Sequence, residues 1–279
     1  CVLATENIVS PSAVGYDINC GMRLLSTPFK LEDINVEELA RSIQRDIPLG
    51  EGMQNVKVNK KTFRKVMEQG LNAYPEVIAK DERLTRYFNE EELVDDILKT
   101  EDQGQMGGIA DVVSPHAIER GINQLGTLGG GNHFLEIQEI TDIYDEDRAK
   151  IFGLSKGMIT IMLHSGSRGF GHEIAGTYMK IALNKCTKNK LKIPSRELTY
   201  LEASSNQGKN FVGAMHAAAN FAFVNRLIMA NFVRKNIRHS YGKDIKLPSV
   251  YGVPHNMVKQ EEYNNQKIWI HRKGATRAF

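Results

Sequence analysis

The chain has 279 residues, of which 41% are hydrophobic and 25% are charged, and its formal net charge is +3 at pH 7. This length allows one large folded unit or two small ones, and the composition excludes a mainly disordered chain. No apolar run is long enough to cross a bilayer, so no membrane-spanning helix is predicted. The mild positive charge permits an anionic partner without requiring one.

The three cysteines are too few and too widely spaced for a disulfide framework, and the first residues show no signal-peptide pattern. We therefore expect a cytoplasmic protein with reduced thiols. The sequence begins with Cys1 and stops at Phe279 directly after a motif typical of ordered structure. We expect it to be part of a longer protein, incomplete at both ends. No repeat or low-complexity linker marks a boundary, which favours one domain over residues 1–279.

The first 29 residues predict strand, turn and strand, because β-branched and apolar residues alternate with breakers such as Pro11. In the turn, Asp17 and Cys20 lie three positions apart beside glycines, so a carboxylate and a thiolate can point at one place. A cation between them would relieve their repulsion. Taken alone, the motif favours a buried structural cysteine and a turn aspartate.

Helical spacing of apolar residues follows in the next hundred residues. Helices are predicted within 32–47, 62–71 and 75–100. The run EEELVDDILK at 90–99 is typical of a solvated helix face, and we assign no chemistry to it. Ser114 and Pro115 predict a further helix, as N-cap and first-turn residues. That helix carries Arg120, either an anion contact or a simply exposed cation.

Residues 126–136 read GTLGGGNHFLE, with four glycines in six positions. Such a loop bends tightly and lets a ligand approach the backbone, which suits a phosphate. His133 stands where the loop meets a predicted strand, and a sheet can aim its side chain at a metal. An ordinary glycine-rich turn with a satisfied histidine would give the same pattern, since short glycine motifs match often by chance.

Two later strands also end in histidine. The apolar run 158–163 predicts a buried strand, and His164 follows it before a predicted helix start that carries Arg168. Backbone N–H groups at a helix start favour an anion, and an arginine adds donors. A third strand, within 248–253, leads to His255 and Asn256. A last strand, 267–271, precedes three cations that would suit phosphate oxygens.

One long helix, or two, is predicted over residues 209–239, which are rich in alanine. Alanine lets helices pack closely. Asn220 and Asn225 interrupt this apolar pattern and need hydrogen-bond partners if they are buried.

Together these motifs place five metal-competent side chains at strand ends or turns: Asp17, Cys20, His133, His164 and His255. One cation usually takes three or four protein ligands, so five indicate a pair sharing a ligand or one cation with spare ligands. Cysteine and histidine favour zinc, and the carboxylate admits manganese or iron. Metal-assisted chemistry on a phosphate is indicated, and no Walker lysine motif is present.

Six segments resemble, in order and approximate spacing, the RtcB family of GTP-dependent RNA ligases. They are GYDINCGMRLL, QLGTLGGGNHFLEI, LHSGSRGFGHEI, AMHAAANFAFVNR, VPHN and HRKGATRAF. The resemblance spans the whole chain and implies an α+β domain with mixed β-sheets, surrounding helices and a metal site at strand ends. The implied activity joins an RNA 3′-phosphate or 2′,3′-cyclic phosphate to a 5′-hydroxyl with Mn²⁺ and GTP, through a histidine–GMP intermediate. The implied processes are tRNA splicing and RNA repair.

The resemblance also implies roles for residues of this sequence. Two Mn²⁺ ions would share the Cys20 thiolate, one also held by Asp17 and His133, the other by His164 and His255. The residues similar to family segments that contact GTP are Asn132, His133, Phe134, Leu135, Glu136, His255 and Asn256. Arg120 and Arg168 resemble arginines that hold a phosphate.

The family's guanylated histidine lies beyond the RKGATR motif, and none of the eight histidines here occupies its place. We therefore expect that this chain binds metal without forming the covalent GMP intermediate. Two alternatives remain: a metal-dependent phosphohydrolase or nuclease, and a non-catalytic module that binds metal and RNA.

Overall fold

The structure is a computed structural model that describes residues 1–191, 193 and 195–278. Phe279, which ends the last family-like segment, lies outside this range. The α+β class is confirmed. In chain order the strands are β1 Val2–Thr5, β2 Ile8–Val9, β3 Gly21–Ser26, β4 Phe134–Glu139, β5 Ile159–Ser165, β6 Leu201–Glu202, β7 Ser249–Pro254, β8 Asn256–Tyr263 and β9 Gln266–Lys273.

Most helices follow the predicted segments with shifted ends, but a helix at Glu146–Ile151 lies where the sequence predicted none. The helices are α1 Val36–Asp46, α2 Lys60–Gln69, α3 Tyr74–Ile78, α4 Glu82–Thr85, α5 Glu90–Leu98, α6 Pro115–Gly121, α7 Glu146–Ile151, α8 Arg168–Lys188 and α9 Asn206–Tyr241. Short 3₁₀ helices lie at Pro11–Ala13, Leu31–Asp33, Gly70–Ala73, Glu101–Gly104, Ala110–Val112 and Arg196–Leu198. In the described part of the chain, no helix is both long and apolar enough to cross a membrane.

A four-stranded antiparallel sheet, in the order β4-β5-β3-β7, positions the candidate site. Gly21 at the start of β3 lies opposite Ser165 at the end of β5 and Pro254 at the end of β7. Phe134 at the start of β4 lies opposite His164. The starts of two strands and the ends of the other two therefore meet at one edge of this sheet.

The second sheet, in the order β1-β9-β8, contains a strand that the sequence did not indicate. β8 pairs with β9 over eight residues, and the chain turns at Asn264 and Asn265, which both have positive φ. Positive φ at both central residues is typical of a tight hairpin turn. The strand was missed because its middle is polar: Lys259 is buried and pairs with Glu101 and Asp102, which no local pattern shows.

Helix α9 is a single helix of 36 residues through the core, rather than two. It packs against α1, α2, α8 and the strands β3 and β5. Buried Asn220 confirms the need for partners, because its amide nitrogen donates to the carbonyls of Met67 and Met106 at 2.8 and 2.9 Å. Its oxygen accepts from the Met106 N–H at 2.7 Å.

The expectation that α5 presents only a solvated face is wrong at Asp96. This carboxylate is 1% exposed and pairs with Arg234 at 2.6 Å and with Arg23 at 3.0 Å. The Ser249 hydroxyl donates to it as well, at 2.5 Å. The two arginines come from β3 and α9, so a run of charges in sequence could not reveal the burial of this one.

Candidate metal centre

Four candidate ligands lie in a row along one edge of the central sheet. His133 directly precedes β4, His164 lies at the end of β5, Cys20 directly precedes β3, and His255 directly follows β7. The strand order β4-β5-β3-β7 places them side by side in that sequence. Asp17 joins them from the turn before β3. The structure thus brings together all five side chains singled out in the sequence.

The five side chains form two groups of three, and Cys20 belongs to both. In the first, His133 Nε2 lies 2.7 Å from Asp17 Oδ2 and 3.4 Å from Cys20 Sγ. In the second, His164 Nε2 lies 3.1 Å from Cys20 Sγ and 3.2 Å from His255 Nε2. Within each group the candidate ligand atoms all lie within 4.8 Å of one another. These groups are called the Asp17 triad and the His255 triad below.

A backbone contact orients the His133 ring. His133 Nδ1 lies 2.9 Å from the Leu128 carbonyl, which can only accept, so that nitrogen is assigned the proton. A longer contact of 3.2 Å from Arg168 Nη1 to the same nitrogen is then not a hydrogen bond. With Nδ1 turned to Leu128, the His133 ring presents Nε2 to Asp17 Oδ2 and Cys20 Sγ. A carboxylate, a thiol and an imidazole so arranged are a donor set that fits a divalent cation.

Burial keeps the imidazoles of the His255 triad neutral. It lowers the pKa of His255 to about 4, with further contributions from His164 and Arg226. It also lowers the pKa of His164, and the neighbouring His133 adds to this effect. Neutral imidazole is the form that binds a metal.

Burial favours the metal-binding form of these two histidines, but it opposes ionisation of the shared Cys20 thiol. Burial, and then the Asp17 carboxylate, raise the pKa of Cys20 far above its usual range. Burial also opposes ionisation of Asp17, but its contact with His133 outweighs this and the pKa of Asp17 is lowered. Cys20 is therefore the one member of the two triads that needs a neighbouring cation in order to ionise.

Three neighbouring residues determine the position of Asp17: two donate hydrogen bonds to it, and a glycine leaves room for its carboxylate. The Ser167 N–H, at the start of α8, donates to Asp17 Oδ1 at 3.1 Å. Gly166 leaves room for the carboxylate, because a Cβ there would lie 2.3 Å from Oδ1. The Asn256 amide donates to the Asp17 carbonyl at 3.1 Å, and its own oxygen accepts from the Gly274 N–H at 2.8 Å.

The glycine loop lies against Arg168. A Cβ at Gly129 would lie 2.1 Å from the Arg168 guanidinium, and Gly129 has φ of 100°. Arg168 is 8% exposed and itself has φ of 54°, a value that a non-glycine residue rarely adopts. Such backbone strain concentrates at functional sites. The glycine loop therefore leaves room for the positively charged guanidinium of Arg168 beside His133.

A cavity of about 290 Å³ opens beside the Asp17 triad. Both predicted phosphate contacts, Arg120 and Arg168, line it, and α6, which carries Arg120, starts at the predicted Ser114 cap. The lining of the cavity also includes Glu51, Gln124 and His172, to which the sequence analysis assigned no role in a site. His172 could have been found, because it lies four positions after Arg168 on one helix face. Glu51 lies in a loop without any signal.

The residues predicted to contact a nucleotide fall into different environments. Asn132 lines the cavity. The Phe134 ring packs against the His164 ring, with 5.2 Å between the ring centroids. Glu136 is exposed and accepts a hydrogen bond from the Gln138 amide at 2.8 Å. Leu135 lies on the opposite face of β4, in an apolar groove beneath α1, because side chains alternate along a strand. Nucleotide contact by these residues stays a prediction.

Comparison with known proteins gives one family. A family model described as tRNA-splicing ligase RtcB matches residues 1–279. The tRNA-splicing ligase RtcB of Pyrobaculum aerophilum is 38% identical over 290 residues, which cover 99% of this chain and 57% of the relative. That of Thermococcus kodakarensis is 37% identical over 287 residues, with the same coverage. RNA-splicing ligase RtcB homolog 2 of Entamoeba dispar is 38% identical over 98% of this chain and 51% of its own length. The chain thus spans slightly more than half the length of these relatives.

Proposed function

Because the chain belongs to the RtcB family of tRNA-splicing ligases, we propose that it forms the two-metal core of an RNA ligase. The reaction would join an RNA 3′-phosphate or 2′,3′-cyclic phosphate to a 5′-hydroxyl with GTP and Mn²⁺, through a histidine–GMP intermediate. Its partners would be broken RNA ends, including tRNA halves, in the cytoplasm. The observation that supports this most strongly is the meeting of five ligands, remote in sequence, in two triads that share Cys20.

In this proposal each triad holds one Mn²⁺ ion, and the pair neutralises charge on phosphate oxygens. Arg168 and Arg120 hold the phosphate of the RNA end in the adjoining cavity. GTP is contacted by the segment from Asn132 to Glu136 and by His255 with Asn256. Asn256 also supports the Asp17 turn, so its loss would affect both metal and nucleotide.

The proposal is tested by RNA binding. With Mn²⁺ present, we expect an RNA oligonucleotide ending in a 3′-phosphate to bind at least about tenfold more tightly than the same RNA ending in a 3′-hydroxyl. The reason is that the terminal phosphate adds charge that Arg120, Arg168 and the cations can contact. Fluorescence anisotropy measures both affinities. Equal affinity for the two ends would contradict the proposal, and release of phosphate or shortened RNA would favour the phosphohydrolase or nuclease.

Labelled GTP tests the second part of the proposal. After incubation with Mn²⁺ and denaturing electrophoresis, we expect no labelled protein band, because no histidine of this sequence matches the family's guanylated position. A labelled band would overturn this expectation. His172, which lines the cavity outside both triads, would then be the first residue to replace.

The Asp17 triad can be disturbed without removing a ligand. In Gly166→Ala, the new methyl group would displace the Asp17 carboxylate, since a Cβ there lies 2.5 Å or less from both oxygens. We expect Mn²⁺ affinity at this triad to fall about tenfold or more, with the His255 triad still occupied. Isothermal titration separates the two binding events. Gly176→Ala is the matched control, because its Cβ would meet only Tyr16 at 3.9 Å.

A further inference from the structure

Two consecutive residues of α9, Asn225 and Arg226, contact the backbone of three loops that carry candidate metal ligands. Their exposed fractions are 0% and 1%. The sequence indicated only that Asn225 would need partners, and it gave Arg226 no role. Nothing in the proposed reaction uses either side chain directly, so their contacts require a separate explanation.

Arg226 joins the loop before β3 to the end of β5. Its Nη1 donates to the Asn19 carbonyl at 2.6 Å and to the Ser165 carbonyl at 3.0 Å. Its Nη2 donates to Asn19 Oδ1 at 2.9 Å. Asn19 directly precedes Cys20, and Ser165 directly follows His164. One guanidinium therefore sets the spacing between two ligands that lie 3.1 Å apart.

The oxygens that bind Arg226 are carbonyl and amide oxygens. Among the described residues, no carboxylate forms an ion pair with it, in contrast to Arg234 two turns later on the same helix. A buried guanidinium without a carboxylate partner is costly. Its hydrogen bonds go to Asn19 and Ser165, the neighbours of the candidate ligands Cys20 and His164. The energetically unfavourable burial of the Arg226 charge thus occurs directly behind the candidate metal centre.

Asn225 joins the glycine loop to the end of β5. Its oxygen accepts from the N–H groups of Gly126 and Thr127 at 2.8 and 3.2 Å. Its nitrogen lies 3.1 Å from the Thr127 carbonyl and 3.3 Å from both Ser165 Oγ and the Gly166 carbonyl. The next residue of the loop, Leu128, accepts from Ser165 Oγ and orients the His133 ring. Asn225 therefore sets the position of His133 relative to His164.

We propose that Asn225 and Arg226 are positioning residues of the metal centre, which hold the loops of Cys20, His133 and His164 in register from one rigid helix. The inference deepens the proposed function and rests on it. It assigns to α9, which carries none of the ligands, the role of template for the site. Loss of either side chain should loosen the arrangement of the ligands while leaving every ligand in place.

The test compares Arg226→Gln and Asn225→Asp with matched variants on the same helix. Arg234→Gln removes another buried guanidinium, and Asn220→Asp alters another fully buried asparagine whose partners carry no ligand. For each 279-residue chain, Mn²⁺ affinity and the thermal midpoint are measured. The absorption spectrum of the Co²⁺-loaded chain reports the geometry at the thiolate.

We expect Arg226→Gln and Asn225→Asp to weaken Mn²⁺ binding at least about tenfold and to alter the Co²⁺ spectrum. The two controls should lower the thermal midpoint at least as much and keep the affinity of the unaltered chain. Arg226→Lys keeps the charge but lacks the planar fork that reaches the two carbonyls and Asn19 Oδ1 together, so its affinity should lie between those of the unaltered chain and Arg226→Gln. It also serves as the test if Arg226→Gln does not fold.

Reduced thermal midpoints with unchanged Mn²⁺ affinity and an unchanged Co²⁺ spectrum in the Asn225 and Arg226 variants would overturn the inference. The unaltered chain tests the proposed function separately. If it binds no Mn²⁺, the metal centre is refuted and the inference falls with it. If it binds Mn²⁺ equally well with or without these two side chains, only the inference fails.

Discussion

Cys20→Ala is expected to abolish binding of both Mn²⁺ ions, whereas His255→Ala should abolish only one. The reason is that Cys20 Sγ belongs to both triads, while His255 belongs to one. Each triad supplies only three protein ligands, and loss of one leaves two, fewer than a protein metal site usually has. Metal content after gel filtration, measured by mass spectrometry, gives the stoichiometry directly.

Cys186→Ala is the matched control for this experiment. Cys186 is also a buried cysteine, but it lies in α8 and its thiol contacts the Tyr200 carbonyl rather than any candidate ligand. Its replacement should lower stability slightly and leave two Mn²⁺ ions bound. Retention of one tightly bound ion by Cys20→Ala would show that the thiolate does not bridge, and the two-metal arrangement would then have to be abandoned.

Asp96→Asn is expected to lower the free energy of unfolding by about 3 kcal/mol or more, because it leaves two buried guanidiniums without their shared carboxylate. Arg23 and Arg234 are each 1% exposed, so water cannot replace the lost partner. In a chain of this size such a loss lowers the thermal midpoint by roughly 6 °C. Asp95→Asn, one residue earlier, removes an exposed pair with Lys99 and should cost only about 0.5 kcal/mol.

The same carboxylate gives a pH dependence of stability. Burial by itself raises the pKa of Asp96, but the charges of Arg234 and Arg23 outweigh this, so its pKa lies below the usual value. The stabilisation is then complete above the unfolded pKa of about 3.9 and is lost as the pH falls through the folded pKa. The stability difference between the unaltered chain and Asp96→Asn should therefore shrink below about pH 4. A difference that stayed constant down to pH 2 in urea titrations would contradict the assignment.

The sequence predicted those features that a short segment determines by itself. The run ending at His164 has the length and apolarity of a buried strand, and β5 lies there. Ser114 with Pro115 predicted the start of α6, and the Ser114 hydroxyl accepts from the Ala117 N–H as an N-cap. The five candidate ligands were found because each stands beside a glycine turn or a strand end, and the family resemblance divided them into two sets.

Features that depend on partners from distant segments could not be predicted. Asp96 looks like its exposed neighbours until β3 and α9 bring two arginines to it. Lys259 gives the β8 segment the polar pattern of a loop, and its burial in a strand depends on the ion pair with Glu101. Arg226 reads as the end of an apolar helical motif, and its role depends on carbonyl groups some sixty and two hundred positions away. In each case the physical cause is a buried charge, whose partner local periodicity does not reveal.

The pairing of β1 with β9 has a consequence for biosynthesis. Val2 lies opposite Arg272, and the Ser10 N–H donates to the buried His271 ring at 2.9 Å. Contacts across such a sequence separation must bear a large loop-closure entropy before they contribute any stability. The first strand thus stays without its partner until nearly all of this stretch has left the ribosome. The turn that carries Cys20 likewise lacks its hydrogen bond from the Asn19 N–H to the Asn256 carbonyl until then, so the candidate ligands are assembled only late in synthesis.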